Sequence, residues 1–235
     1  MKILALDSSG LVASVAVVEN DTLLAEYTVN YKKTHSQTLL PMLDEISNMT
    51  ELDLSTIDAI AVAGGPGSFT GLRIGSATAK GLGLALEKPL ISIPTTAAIA
   101  YNIWDTNKFV CPIMDARRNQ TYTGLYRFDG NQMEIIKPQC AVGIDEIIAE
   151  VNKLGQAVVF LGDGVAVFEA YIRENCTVPY TFAPAHVNKQ RAGAVAALGE
   201  IYYTEGKTET AEEHKPDYLR LSQAERERLE GEQKK

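Results

Sequence analysis

Twice in this chain a short apolar strand ends in an aspartate and runs directly into a β-hairpin. The first is "MKILALD", ending at Asp7, with "ASVAVVEN" and "TLLAEYTVNY" on either side of Asn20-Asp21. The second is "FVCPIMD", ending at Asp115, with "TYTGLYRFDG" and "QMEIIKPQCAV" around Gly130-Asn131. Asn, Asp and Gly between β-type runs signal tight hairpin turns, because these residues tolerate left-handed backbone. A helix, a strand and a further helix follow each hairpin. In the first half these are "HSQTLLPMLDEISNM", "IDAIAVAGG" and a glycine-rich helix, then "PLISIP" and "TTAAIAYNIWD". In the second they are "IDEIIAEVNKLG", opening at Asp145 and closing on Gly155, then "AVVFLGDG", "VAVFEAYIREN" and "NKQRAGAVAALGEIYYTEG". The restart predicts two related α/β lobes, residues 1–106 and 107–224, with 225–235 as a charged, solvated tail.

With 235 residues, the chain can bury a full core. Its formal net charge of −8 argues against gripping a phosphate backbone unaided. Cys111, Cys140 and Cys176 are too scattered for a zinc spacing or a disulfide framework, so a reducing compartment is expected. Asp7 interrupts the first apolar run, which argues against a signal peptide, and no window is long and apolar enough to span a bilayer. The expectation is a cytoplasmic protein with no membrane partner.

The stretch "AVAGGPGSFTGLRIGSATAKGLG", Ala61 to Gly83, looks like a phosphate loop feeding a helix. It fails the dinucleotide fingerprint at Thr70. It also fails the Walker A pattern, because Leu72-Arg73 follow Gly71. What remains is a Gly-Pro-Gly turn, two hydroxyls (Ser68 and Thr70) and a helix N-terminus. Such an end either attracts an anion or is capped by one of those hydroxyls. Within the helix, Gly71, Gly75, Ala79 and Gly83 recur every four residues and so share a face. Interior Gly75, Gly81 and Gly83 together cost on the order of 2–3 kcal/mol relative to alanine. Close helix packing would offset that. The spacing leaves open whether the approaching backbone belongs to the same lobe or to another subunit. The preceding helix places Leu39, Met42, Leu43, Ile46 and Met49 at helical period, and Pro41 fits it if Thr38 is the N-cap.

"LALDSSG", "GGPGSFTGLRIG", "KPLISIPT" and the terminal "KPDYLRLSQAER" together resemble the TsaB family, over nearly the whole chain. These are dimerisation subunits of the bacterial machinery that makes threonylcarbamoyladenosine in tRNA. The resemblance implies an α/β, two-lobed, actin-like and Hsp70-like ATPase fold with duplicated mixed-sheet subdomains. It also implies a non-catalytic scaffold that pairs with a TsaD-like catalytic subunit and works with a TsaE-like ATPase subunit. Such a scaffold forms a homodimer when alone and meets tRNA only through the complex. The implied interface joins the stripe Gly71, Gly75, Ala79 and Gly83 to the helix bearing Leu39, Met42, Leu43 and Ile46, with His35 beside it.

The catalytic relative of that family carries a metal-binding His-x-x-x-His on the helix matching "TTAAI". Here Thr95 and Ile99 stand at those positions, and His35, His186 and His214 are scattered. No metal and no catalysis by this chain are expected. For a nucleotide, the fold offers Asp7, Ser8 and Ser9 in the first turn, Gly67 and Ser68, Asp115, and Gly162 and Asp163 of "FLGDG". Leu11 and Val12 bring no polar reach, and Arg117-Arg118 replace expected glycines, so the resemblance leaves room only for weak ATP or ADP binding. An independent ATPase or phosphotransferase of the same fold is the alternative, separable by assaying hydrolysis. A peptidase finds little support, since there is no HExxH and no G-x-S-x-G.

Overall fold

The computed structural model describes residues 1–31, 34–130 and 132–220. The hairpin residue Asn131 and the tail 225–235 lie outside the described residues, as does the end of the quoted terminal motif. The first sheet contains β1 (Lys2–Asp7), β2 (Ala13–Glu19), β3 (Thr22–Val29), β4 (Ala59–Gly65) and β5 (Leu90–Pro94), in the order β3-β2-β1-β4-β5. β1 pairs antiparallel with β2 and parallel with β4. The turn at Asn20-Asp21 has positive φ at both residues, 49° and 60°, which is what a two-residue hairpin requires. The helices of this half are α1 (Leu39–Thr50), α2 (Phe69–Leu86) and α3 (Thr95–Tyr101). α1 begins after Thr38, so Pro41 falls in its first turn, where no amide is missed.

The second half repeats the plan. β6 (Phe109–Asp115), β7 (Gln120–Asp129), β8 (Gln132–Gly143), β9 (Val158–Leu161) and β10 (Tyr180–Phe182) form a sheet ordered β10-β9-β6-β7-β8. Its helices are α4 (Ile144–Leu154), α5 (Val165–Asn175) and α6 (Ala192–Thr204). β10 has no counterpart in the sequence reading, because three residues are too few to show a two-residue period. α4 starts one residue before Asp145, with the Glu146 carboxylate accepting from Gly143 N, and it ends on Gly155 at φ 64°.

Strand alternation sorts the core into layers. Leu4, Leu6, Val15, Val17, Ile60 and Val62 face α1 and α2. Ile3, Ala5, Ala16, Ala59, Ala61 and Ala63 face the middle of the molecule. There α6 lies on the first sheet and α3 touches the second, so each half lends its last helix to the layer between the sheets. The alanine-lined face lets "AGAVAALG" approach closely: a β-carbon on Gly199 would stand 2.9 Å from Ala61 Cβ. Glu26 of β3 grips the start of α6, accepting from Gly193 N at 3.0 Å and pairing with Arg191. Beyond the second sheet, Phe109, Cys111, Ile113 and Phe160 pack against Ile144, Ile147, Ile148 and Val151 of α4 and Phe168 and Ile172 of α5.

Candidate functional site

The β1–β2 turn and the β4–α2 turn lie against one another. The contact explains the glycines. Ser68 N donates to Ser9 O at 2.7 Å, and the Ser8 hydroxyl donates to Gly71 O at 2.9 Å. A β-carbon on Gly67 would collide with Ser9 O, one on Gly71 with Ser8 O, and one on Gly75 would stand 2.5 Å from Ser8 Oγ. Farther along, a β-carbon on Gly83 would stand 2.9 Å from Leu90 Cδ2, and Ala79 is fully buried with Leu4 and Leu6. The stripe Gly71, Gly75, Ala79 and Gly83 therefore packs on its own sheet and turn. Leu39, Met42, Leu43 and Ile46 are buried against that same sheet. The eight residues expected at a subunit interface are thus packed within this chain. Four-residue spacing puts the four of α2 on one face, and that face points inward. His35 is also drawn inward, with Nε2 2.8 Å from Gly10 O, at the edge of the cleft between the lobes.

The outward faces of α1 and α2 carry different residues. Arg73, Ala77, Gly81 and Ala85 recur every four residues and are exposed on α2. Leu84 is 63 % exposed, and on α1 Leu40 is 53 % and Met49 78 % exposed. A β-carbon on Gly81 would meet nothing within 4 Å.

Ser68 caps α2, its hydroxyl oxygen accepting from Gly71 N at 3.3 Å. Ser9 donates to Asp7 Oδ1 twice, from its amide at 2.9 Å and its hydroxyl at 2.7 Å. The other carboxylate oxygen, Asp7 Oδ2, is buried and finds no partner among the described residues; the same holds for Asp163 Oδ1 and both polar atoms of Gln190. Burial pushes the Asp7 carboxyl up to about 6, against the opposing pull of the Ser9 bonds. Burial likewise raises Asp163, which feels the charge of Asp115. Asp115 pairs with Arg117 at 3.1 Å. Arg117, Arg118 and Asn119 take the left-handed backbone expected of glycines, with φ of 64°, 55° and 59°.

Asp115, Asp163, Ser9, Gly67 and Ser68 line a cleft of about 760 Å³ between the lobes. Asp7 and Ser8 lie behind its wall, and Gly162 brings Asp163 up to β6, where a β-carbon on it would collide with Ile113 O. The expected nucleotide residues are thus brought together, but their chemistry suits a phosphate poorly. The hydroxyls of Ser8 and Ser9 are spent on Gly71 and Asp7, and the orphaned atoms of the two aspartates are acceptors. The metal of the catalytic relative does not fit either. Thr95 Oγ1 accepts from Gly65 N at 3.2 Å, and Ile99 is fully buried in the central core. Among the described residues no group of three or more His, Cys, Asp or Glu is placed to hold a metal.

The sequence reading missed the segment after α6. Glu209 exchanges backbone hydrogen bonds with Leu90, both 2.9 Å, and His214 is buried with Nδ1 2.7 Å from Glu209 Oε1. Lys80 Nζ donates to His214 O at 3.1 Å. Residues 217–220 then form part of the cleft wall. The quoted motif "KPDYLR" was the available signal, but nothing in its spacing told where it would dock.

A family model described as TsaD, tRNA N6-adenosine threonylcarbamoyltransferase, matches residues 22–228. The chain is 32 % identical over 227 residues to the tRNA threonylcarbamoyladenosine biosynthesis protein TsaB of Bacillus subtilis (strain 168), covering 96 % of each. A crystal structure from Pseudomonas aeruginosa, described as an uncharacterized protein with similarity to peptidase YEAZ, superposes with a TM-score of 0.78 at 25 % identity, covering 93 % of this chain and 99 % of that one. The inorganic polyphosphate/ATP-glucomannokinase of an Arthrobacter strain shares the fold, with a TM-score of 0.52 at 13 % identity over 86 % of this chain and 99 % of that one.

Proposed function

We propose, from the premise that this chain belongs to the TsaD family and within it to the TsaB proteins, that it is a non-catalytic subunit for making threonylcarbamoyladenosine in tRNA. It pairs with a TsaD-like catalytic subunit and holds it in the working assembly with a TsaE-like ATPase. The observation that carries the non-catalytic part is Thr95 and Ile99. At the positions where the resemblance puts the metal ligands, one side chain is committed to Gly65 and the other is a buried hydrocarbon. Pairing is supported by the outer surface of α1 and α2. There Ala77, Gly81 and Ala85 leave a flat exposed track on α2 beside exposed Leu84, and α1 exposes Leu40 and Met49. A helix of a partner can approach such a track closely, and without the catalytic subunit a second copy can, giving a two-fold homodimer.

No cofactor is needed for this role, and ATP or ADP is held weakly at most, because Asp115 and Asp163 line the cleft and the Ser8 and Ser9 hydroxyls are already committed. With a net charge of −8 the chain reaches tRNA through its partner. Its three free cysteines fit a reducing cytoplasm. The test is reconstitution. The purified chain, given tRNA and threonylcarbamoyl adenylate, should yield no modified adenosine. Adding the co-purified catalytic relative should restore it. Product from the lone chain would overturn the proposal, as would failure of the two proteins to associate.

A further inference from the structure

The segment after α6 is anchored in two stages of different strength. Residues 209–214 are built into the first lobe by the Glu209–Leu90 pairing, buried Ala211 and buried His214. After Lys215-Pro216 the contacts change. Asp217 N donates to Gly64 O at 2.7 Å, so the first contact is still with the β4–α2 turn. Gly65 lacks a β-carbon there, and one would collide with Asp217 O. The Asp217 carboxylate faces the other way and accepts from Gln139 Nε2 of β8 at 2.8 Å. Tyr218 lies on the Phe69 ring at the start of α2, with centroids 4.6 Å apart. Arg220 donates to Ala116 O, beyond β6. Within four residues the chain thus touches both lobes: Asp217 holds the first and the second, Tyr218 the first and Arg220 the second, along the wall of the cleft that Asp115 and Asp163 also line.

We infer that Asp217–Arg220 is a releasable latch that ties the two lobes together across the cleft, hinged at Lys215-Pro216. Its tip is held by polar contacts and one ring stack, whereas its root is fixed by the Glu209–Leu90 backbone pairing and by buried Ala211 and His214, so the tip can let go while the root stays. Release would free the β4–α2 turn and the Asp115–Asn119 turn to part, and the cleft would open. The inference stands apart from pairing, which uses the outer faces of α1 and α2.

Hydrogen exchange of the full chain, compared with Tyr218→Ala and Arg220→Ala, tests it. Both substituted side chains are partly exposed, so neither opens a core cavity. If the tip is a latch, peptides covering residues 64–70 and 115–120 should both exchange at least tenfold faster in the variants. Peptides from α4 and from residues 205–214 should hold their wild-type rates. Faster exchange at 217–220 with no change at 115–120 would overturn the inference, since the tip would then be free without the second lobe responding. Equal acceleration everywhere, α4 included, would also overturn it, because the tip would be part of the global fold and not a separable tie.

Discussion

Gly71 and Ser8 hold one another at the seam between two turns: the Ser8 hydroxyl donates to the Gly71 carbonyl over 2.9 Å, and a β-carbon on Gly71 would collide with the Ser8 carbonyl oxygen. The glycines of α2 fall into two kinds by what stands opposite them. Gly71→Ala and Gly75→Ala force backbone or Ser8 to shift, and each should cost about 1–3 kcal/mol of stability. Gly81→Ala meets open space and should gain roughly 0.8–1 kcal/mol from helix propensity. Urea unfolding of the three variants checks both signs at once.

The outward track makes a complementary prediction. Gly81→Leu and Leu84→Asp change only exposed positions, so unfolding should move by about 0.5 kcal/mol or less, apart from the helix gain at Gly81. Association with the catalytic relative should weaken at least tenfold, about 1.4 kcal/mol. Titration calorimetry reads the loss, and wild-type affinity in both variants would remove α2 from the interface.

Asp7 gives a pH signature. Burial raises its folded pKa to about 6 from 3.8. A raised carboxyl binds its proton more tightly in the folded than in the unfolded chain between those two values. Its contribution to stability is therefore present at low pH, declines as pH rises from about 4 to about 6, and is flat above. Asp7→Asn keeps an oxygen to accept from Ser9 and removes the charge. The variant should outlast wild type at pH 7.5 by roughly 1–3 kcal/mol, and the gap should shrink toward pH 4.5. Denaturant midpoints at three pH values measure this. A gap that grows on acidification would contradict the burial account.

Thr95 and Ile99 offer a metal no pair of ligands, so the purified protein should carry no stoichiometric zinc or iron. Elemental analysis of protein prepared without chelators decides it, and one equivalent per chain would require a site built from other residues.

Much of the fold was legible because its signals are local. The Asn20-Asp21 turn, the start of α1 after Thr38 and the αL end of α4 at Gly155 each depend on a few neighbouring residues. The stripe on α2 was legible only in part. A four-residue period says which residues share a face, but what that face meets depends on Ser8, more than sixty positions away. Asp217 was illegible for the same reason: its partners Gly64 and Gln139 are distant in sequence, and no periodicity connects them. Gln190 carries no motif at all and becomes visible only as a buried amide against Gly10.

The layer between the sheets has a consequence for how the chain is made. The alanine face of the first sheet is completed by α6, residues 192–204. During synthesis that face, finished by residue 94 and covered only in part by α3, stays incomplete until nearly the whole chain has emerged. The first half cannot fold to completion on the ribosome ahead of the second, and a nascent chain stalled before α6 would present an apolar sheet to whatever chaperone is near.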